Sequence, residues 1–298
     1  MTLSSNPREI ARDFAYVTLS RGISLAISFV RSLVIPGLLG PMAYGVWKTL
    51  GLIQTYAQFG DFGARAALRR EIPFHAGRND SLRLALVRDV SFGANNLSIL
   101  LAAAGTLVAC ALVDDPMLRT AMLLFLPLLY VSHMFSFMEQ VLAGLKQFAF
   151  MSRLTIGSGL LEAVLAIGMT WAIGLNGLIL GTFLSYLVVT FVQMSRVGFD
   201  LRPRFRWSVF KELVSIGFPS HLNGLLYNIF LSIDRWLILS FLGLTSMGYY
   251  ALGMTINEYL FLFSYTFGNV LSPRLVETYS RRESIEDLRG MVEVPLVI

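Results

Sequence analysis

Residues 31–47 read Arg-Ser-Leu-Val-Ile-Pro-Gly-Leu-Leu-Gly-Pro-Met-Ala-Tyr-Gly-Val-Trp. At the centre, Gly40-Pro41-Met42 separates two apolar runs, 14–39 and 43–63. Each run holds the roughly 20 helical residues that span a hydrocarbon core about 30 Å thick. A connection this short fits only a helical hairpin. Six more runs of similar length follow at 89–112, 120–141, 154–174, 177–195, 214–242 and 247–271. Two of their connections are again hairpin turns, Leu175-Asn176 and Gly243-Leu244-Thr245-Ser246. Strand-type alternation is absent, so the runs read as helices rather than barrel strands. The expected fold is an all-α membrane protein with eight transmembrane helices.

Composition agrees. Of 298 residues, 55% are hydrophobic and 14% charged, against about 25% charged in an average soluble domain. A water-facing surface needs more charge than this, and a lipid-facing one does not. The net charge of +5 could suggest nucleic acid, but the basic residues sit in short loops between apolar runs rather than on one face, so no nucleic-acid partner is expected. The single cysteine, Cys110, lies in an apolar run and reads as packing. With three histidines at scattered spacing it gives no metal signature, and no cofactor is expected.

Loop charge sets the orientation. Arg8 and Arg12, the loop from Arg65 to Arg88, Lys146 and Arg153, the segment Arg196–Lys211, and Arg274–Arg289 all fall on one side. The other side holds little beyond Asp114, Asp115, Arg119 and Lys48. Lys and Arg excess marks the cytoplasmic side, which puts the N-terminus inside. The stretch 202–213 mixes basic and aromatic residues and reads as a linker on the cytoplasmic leaflet. The chain closes on Met-Val-Glu-Val-Pro-Leu-Val-Ile, where a ninth helix should begin, so it reads as a C-terminally truncated piece of a longer protein.

A shift of 203 residues aligns the first hairpin with the last. Ile35, Leu39, Gly40, Gly45, Ile53 and Tyr56 match Ile238, Leu242, Gly243, Gly248, Ile256 and Tyr259, and the loop charges follow. Both copies start inside, so the repeat is parallel, with six helices per unit. The expected organisation is a six-helix lobe over 1–198, a linker over 199–213 and the start of a second lobe over 214–298. Paired lobes flanking a cavity are a transporter architecture of twelve or more helices.

Polar groups in hydrocarbon need a partner or water. Arg21, Ser24, Ser28 and Arg31 share one helical face. So do Gln54, Gln58, Asp61 and Arg65; His133, Ser136 and Gln140; Thr155, Ser158 and Glu162; His221, Asn228 and Arg235; and Glu258, Tyr265 and Asn269. The stripes either converge on a hydrated cavity or make separate helix–helix hydrogen bonds. Arg31 lies about 12 Å below the end of its helix and is a cavity cation or a snorkelling one. Asp61 and Arg65 are spaced to pair with each other. Asp234 and Arg235 diverge by about 100° around their helix, so each needs another partner, in the substrate or on a neighbouring helix. The candidate cavity residues are therefore Arg31, Gln54, Gln58, Asp61, His221, Asn228, Asp234, Arg235 and Glu258. Gly177 and Gly181 form a G-x3-G step suited to close packing at a hairpin. No nucleophile–base pair, phosphate loop or catalytic carboxylate pair stands out, so no enzyme is expected.

The stretch 31–47 resembles the first hairpin of polysaccharide repeat-unit flippases, a branch of the multidrug/oligosaccharidyl-lipid/polysaccharide exporter superfamily. Phe59-Gly-Asp-Phe-Gly-Ala-Arg-Ala-Ala-Leu-Arg-Arg-Glu fits their second helix, and Asp234-Arg235, Leu242-Gly243-x4-Gly248-Tyr249-Tyr250 and Ser272-Pro273-Arg274-Leu275 extend the likeness. The resemblance implies a carrier that moves undecaprenyl-pyrophosphate-linked oligosaccharide across the bacterial inner membrane. It also implies membrane lipids, a polysaccharide polymerase and chain-length machinery as partners. Arg31 falls where related lipid II flippases carry an arginine needed for transport; there an acid follows it, here Ser32. Multidrug exporters of the superfamily place acidic groups in a lobe to bind cations, whereas this first helix carries arginines.

Overall fold

The computed structural model of the chain describes residues 7–197 and 205–280, which form helices and turns. The elements are α1 (Pro7–Ala57), a 3-10 turn (Gln58–Asp61), α2 (Ala64–Gly77), α3 (Ser81–Leu112), α4 (Pro116–Gly144), α5 (Phe148–Val197) and α6 (Trp207–Ser280). Five of the six helices are long and apolar enough to cross a membrane, which makes this a multi-pass membrane protein. Large side chains such as Trp171, Phe230 and Phe241 are at least 78% exposed, a surface that lipid tolerates and water does not.

Local chemistry fixes the helix ends. Asp80 caps α3 by accepting from the Arg83 amide at 2.9 Å, and Asp115 caps α4 by accepting from the Leu118 amide at 2.8 Å, with Pro116 in the first turn. Three long helices break internally. Gly40 in α1 has φ 72°, Gly174 in α5 has φ 62° beside a distorted Ile173, and Gly243 in α6 has φ 77°. Only glycine adopts such backbone readily. The breaks at Gly40 and Gly243 open the turns expected there, and the α5 break falls just before the Leu175-Asn176 turn.

The chain divides after Tyr250 into two units. In the first, two apolar clusters mark opposite ends of the bundle. One joins Val46, Leu50, Leu118, Phe125, Leu129 and Ile179, with Leu39 and Leu244 packed against it. The other joins Leu68, Ile72, Val90, Phe137, Val141 and Leu213. Helices α3 and α4 each run from one cluster to the other, in opposite directions. The first cluster lies at the turn end and the second at the arginine-rich end. Lipid supplies no hydrophobic drive between helices, so close contact must hold them together.

The two arms of α5 show this. A Cβ on Gly177 would overlap the Met169 carbonyl oxygen, and one on Gly181 would crowd Leu165. The arms therefore run antiparallel with backbones in contact, the packing expected of the G-x3-G step. Gly177→Ala should lower folding stability by roughly 2 kcal/mol or more, because backbone cannot yield as a side chain can. Gly168→Ala, where nothing lies within 4 Å, should be neutral or slightly stabilising. Thermal melting of the purified variants decides this; equal midpoints would refute the close crossing.

One sequence expectation needs correction. The second run does not stay helical to residue 63: regular helix stops at Ala57, and the supposed loop after it is largely helix α2. The Gly60 and Gly63 pair, with Phe62 left-handed at φ 51°, outweighs the apolar pattern there. Of the linker expected over 199–213, residues 205–213 are described. Its second half opens α6, with Val209 and Leu213 buried and Glu212 ion-paired to Arg83 of α3. The aromatic cluster Phe205, Trp207 and Phe210 remains at that helix start, with Lys211 over the Trp207 ring at 5.3 Å. Arg202 and Arg204 of the linker, and the apolar C-terminal run, lie outside the described residues.

Candidate functional site

The candidate residues fall into three groups. The first gathers at the break Phe59-Gly60-Asp61-Phe62-Gly63. Asp61 is 2% exposed. Its Oδ1 accepts from the Gly63 amide at 3.0 Å and lies 3.7 Å from His221 Nδ1, while Oδ2 lies 3.3 Å from Arg65 Nε. His221 Nε2 donates to the Phe59 carbonyl at 3.0 Å, and Arg65 Nη2 donates to the Gln58 carbonyl at 3.1 Å. The break turns these carbonyls away from their own helix, which is why side chains from α2 and α6 can reach them. The Asp61–Arg65 pair forms as the spacing indicates. His221 ties it to α6, a link no local pattern could reveal. Alongside, the backbones of Gly63 and Gly217 touch.

In the second group Arg31, on the first arm of α1, pairs with Glu162 of α5. Their side chains are 29% and 20% exposed, so the pair is partly open rather than sealed. Tyr186 of α5 lies within electrostatic reach of both. Towards the arginine-rich end, Glu139 of α4 lies within reach of Arg69 and Arg21, and Arg69 Nε donates to Gln140 Oε1 at 2.6 Å. Glu162 stood in a polar stripe of the sequence, but nothing there marked it as the counter-ion of Arg31, and Glu139 was missed.

The third group lies on α6. Asp234 accepts from the Tyr250 hydroxyl, across the Gly243 break. Tyr56 and Ser232 hydroxyls meet at 2.6 Å, and the Tyr56 and Trp236 rings lie 5.8 Å apart. Arg235 and Gln54 are half-buried. Asn228 turns to its own helix with one of its two amide hydrogens, donating to the Gly224 carbonyl at 2.8 Å. Glu258, in the second unit, is exposed. Among the described residues no three His, Cys, Asp or Glu side chains cluster as metal ligands do.

Three solved structures share the fold. A MOP superfamily transporter from Pyrococcus furiosus is 15% identical, with TM-score 0.55, covering 94% of this chain and 67% of that one. A MATE protein in complex with Br-NRF is 16% identical, with TM-score 0.53, covering 75% and 56%. A proline-to-alanine mutant of a MATE protein is 17% identical, with TM-score 0.52, covering 82% and 60%. This chain thus spans little more than half the length of the MATE chains it matches. No curated protein matches it. The family described as "Polysaccharide biosynthesis protein" matches residues 34–292, and the chain belongs to that family, on the fold shared by MATE and MOP-superfamily transporters.

Proposed function

We propose that the chain is the greater part of a flippase that carries undecaprenyl-pyrophosphate-linked oligosaccharide, as for O-antigen, capsule or exopolysaccharide, from the cytoplasmic to the outer leaflet of a bacterial inner membrane. It works by alternating access and makes or breaks no covalent bond. The observation that carries this reading is a membrane-embedded guanidinium, Arg31, in a polysaccharide-biosynthesis family member with an exporter fold. A planar guanidinium holds a diphosphate through paired charge-assisted hydrogen bonds. Its partner Glu162 keeps the empty site near neutral. Cargo arriving at Arg31 displaces that carboxylate, so binding exchanges one anion for another instead of exposing a bare charge.

Two lobes are the natural reading of the breaks. Dividing α1, α5 and α6 at Gly40, Gly174 and Gly243 yields eight spans. Gly40 (φ 72°, ψ 170°) and Gly243 (φ 77°, ψ −176°) share one unusual backbone conformation at positions related by the 203-residue shift. That coincidence supports a parallel repeat with its first lobe over 1–198 and its second from 214. Basic loops at the end holding Arg69 and Arg83 then face the cytoplasm. A polysaccharide polymerase and chain-length machinery are its expected partners.

A second reading, a cation-coupled multidrug antiporter, is favoured by the acids Asp61 and Glu162, which could take a cation in a lobe. Reconstitution separates the two. In vesicles carrying a fluorescent polyprenyl-diphosphate oligosaccharide on one leaflet, the protein should move the label out of reach of an impermeant quencher and should leave ethidium unmoved. Ethidium pumping with an immobile lipid would replace the first reading by the second.

A further inference from the structure

The ring of His221, on α6, lies between two oxygen acceptors of the broken segment. Nε2 donates to the Phe59 carbonyl at 3.0 Å, and Nδ1 stands 3.7 Å from Asp61 Oδ1. A neutral imidazole carries one N–H and serves only one of these oxygens. Its other nitrogen then turns a bare lone pair towards the second oxygen, where the two side chains are only 10% and 2% exposed. The imidazolium donates on both sides. Backbone contact holds the ring in this place. Gly217 and Gly224 flank His221 along α6, Gly217 against the Gly63 backbone and Gly224 against the Phe59 ring. The Phe59 and His221 rings meet edge-on at 5.0 Å. Lifting α6 from the break is the way to part this ring from its two acceptors.

We propose that this is a proton-binding site whose proton latches α6 to the break between α1 and α2. The latch is independent of what the chain carries. With the proton bound, His221 pairs with Asp61 and keeps the Phe59 carbonyl. With the proton lost, a lone pair faces the carboxylate and only the carbonyl bond remains. The charged groups around the ring come from the neighbouring elements. Asp61 of the 3-10 turn attracts the proton. Arg65 of α2, 3.3 Å from Asp61 Oδ2, opposes it while donating to the Gln58 carbonyl. His133 of α4 lies within electrostatic reach of Asp61 and Arg65, and its Nδ1 donates to the Leu129 carbonyl. Ser98 of α3 is uncharged and donates to the Ala57 carbonyl. The two oxygens of Asp61 have lone pairs enough for Arg65, the Gly63 amide and the imidazolium together. The latch therefore closes at low pH and loosens as pH rises, and any motion that parts α6 from the break releases the proton.

The chain has three histidines, His75, His133 and His221, so nitrogen NMR of the histidine-labelled full chain in lipid nanodiscs can assign each ring by its replacement with Gln. Between about pH 8 and about pH 5, His221 should convert to the imidazolium. In Asp61→Asn that imidazolium signal should fall about tenfold at equal pH, and in His133→Gln it should persist. Hydrogen exchange reads the latch itself. A Gln at position 221 can keep the bond to the Phe59 carbonyl but cannot take the proton. The α6 peptide holding position 221 should therefore exchange about tenfold faster in His221→Gln than in wild type at about pH 5, and at the same rate at about pH 8. A His221 that stays neutral across this range, or an imidazolium indifferent to Asp61→Asn, would overturn the proton site. Equal exchange of the two proteins at both pH values would overturn the latch. So would a variant faster by the same factor at both, which marks a plain structural contact. None of these results bears on lipid flipping, so the flippase reading stands or falls by its own vesicle assay.

Discussion

Arg31→Ala should destabilise the protein more than Arg31→Ala combined with Glu162→Gln. The single change leaves a carboxylate in a membrane-spanning helix without its cation, a loss of about 2 kcal/mol for a pair that is only partly sealed. The double change leaves two neutral side chains and should recover most of that loss, so the two substitutions will be strongly non-additive. Transport should behave differently. Both variants lack the guanidinium that grips the diphosphate, so both should flip cargo more slowly by a hundredfold or so, the equivalent of about 3 kcal/mol of lost interaction. Glu162→Gln alone should also lose stability, because it leaves the Arg31 guanidinium without its counter-ion, yet it should hold cargo more tightly, because no competing carboxylate remains to reclaim Arg31. Thermal melting and vesicle flipping of the four proteins form a complete cycle. Wild-type flipping by the double variant would remove Arg31 from the cargo site and leave it a structural ion pair.

That division between stability and transport also shows what a sequence can disclose. The helical class, the hairpin turns and the pairing of Asp61 with Arg65 were legible because each is local. Apolar run lengths report span lengths, glycine reports a turn, and an i, i+4 spacing reports a pair. The break at Gln58–Gly63 was hidden because an apolar pattern continues through it and only glycine spacing hints otherwise. The partners were hidden for another reason. Glu162 lies 131 residues from Arg31, and His221 lies 162 residues from Phe59. Such contacts depend on which helices end up adjacent, and a polar stripe says only that some partner is needed. Asp234 illustrates the limit: the need for a partner was readable, while its identity as Tyr250 depended on the chain turning back at Gly243.

The turn end offers the sharpest structural test, because two backbones cross there with no side chain between them. A Cβ on Gly45 would overlap the Leu244 carbonyl oxygen, and a Cβ on Gly248 would overlap the Pro41 carbonyl oxygen. The residues exchange under the 203-residue shift: Pro41 corresponds to Leu244 and Gly45 to Gly248. The contact is thus reciprocal, as across a two-fold axis. Gly45→Ala and Gly248→Ala should each weaken this crossing by about 3 kcal/mol, since a carbonyl oxygen fixed in a helix cannot step aside. The pair together should cost less than the sum, because one opened crossing relieves both clashes. Gly51→Ala, with nothing within 4 Å, should be silent. If alternating access works by parting the two hairpins, either substitution also holds the turn end open. In a Cys110→Ser background, Leu244→Cys should then react with an impermeant maleimide about tenfold faster when Gly45→Ala is present. An unchanged rate with an unchanged melting point would show that the hairpins do not meet at these glycines. A lowered melting point with an unchanged rate would keep the contact and deny it the role of a gate.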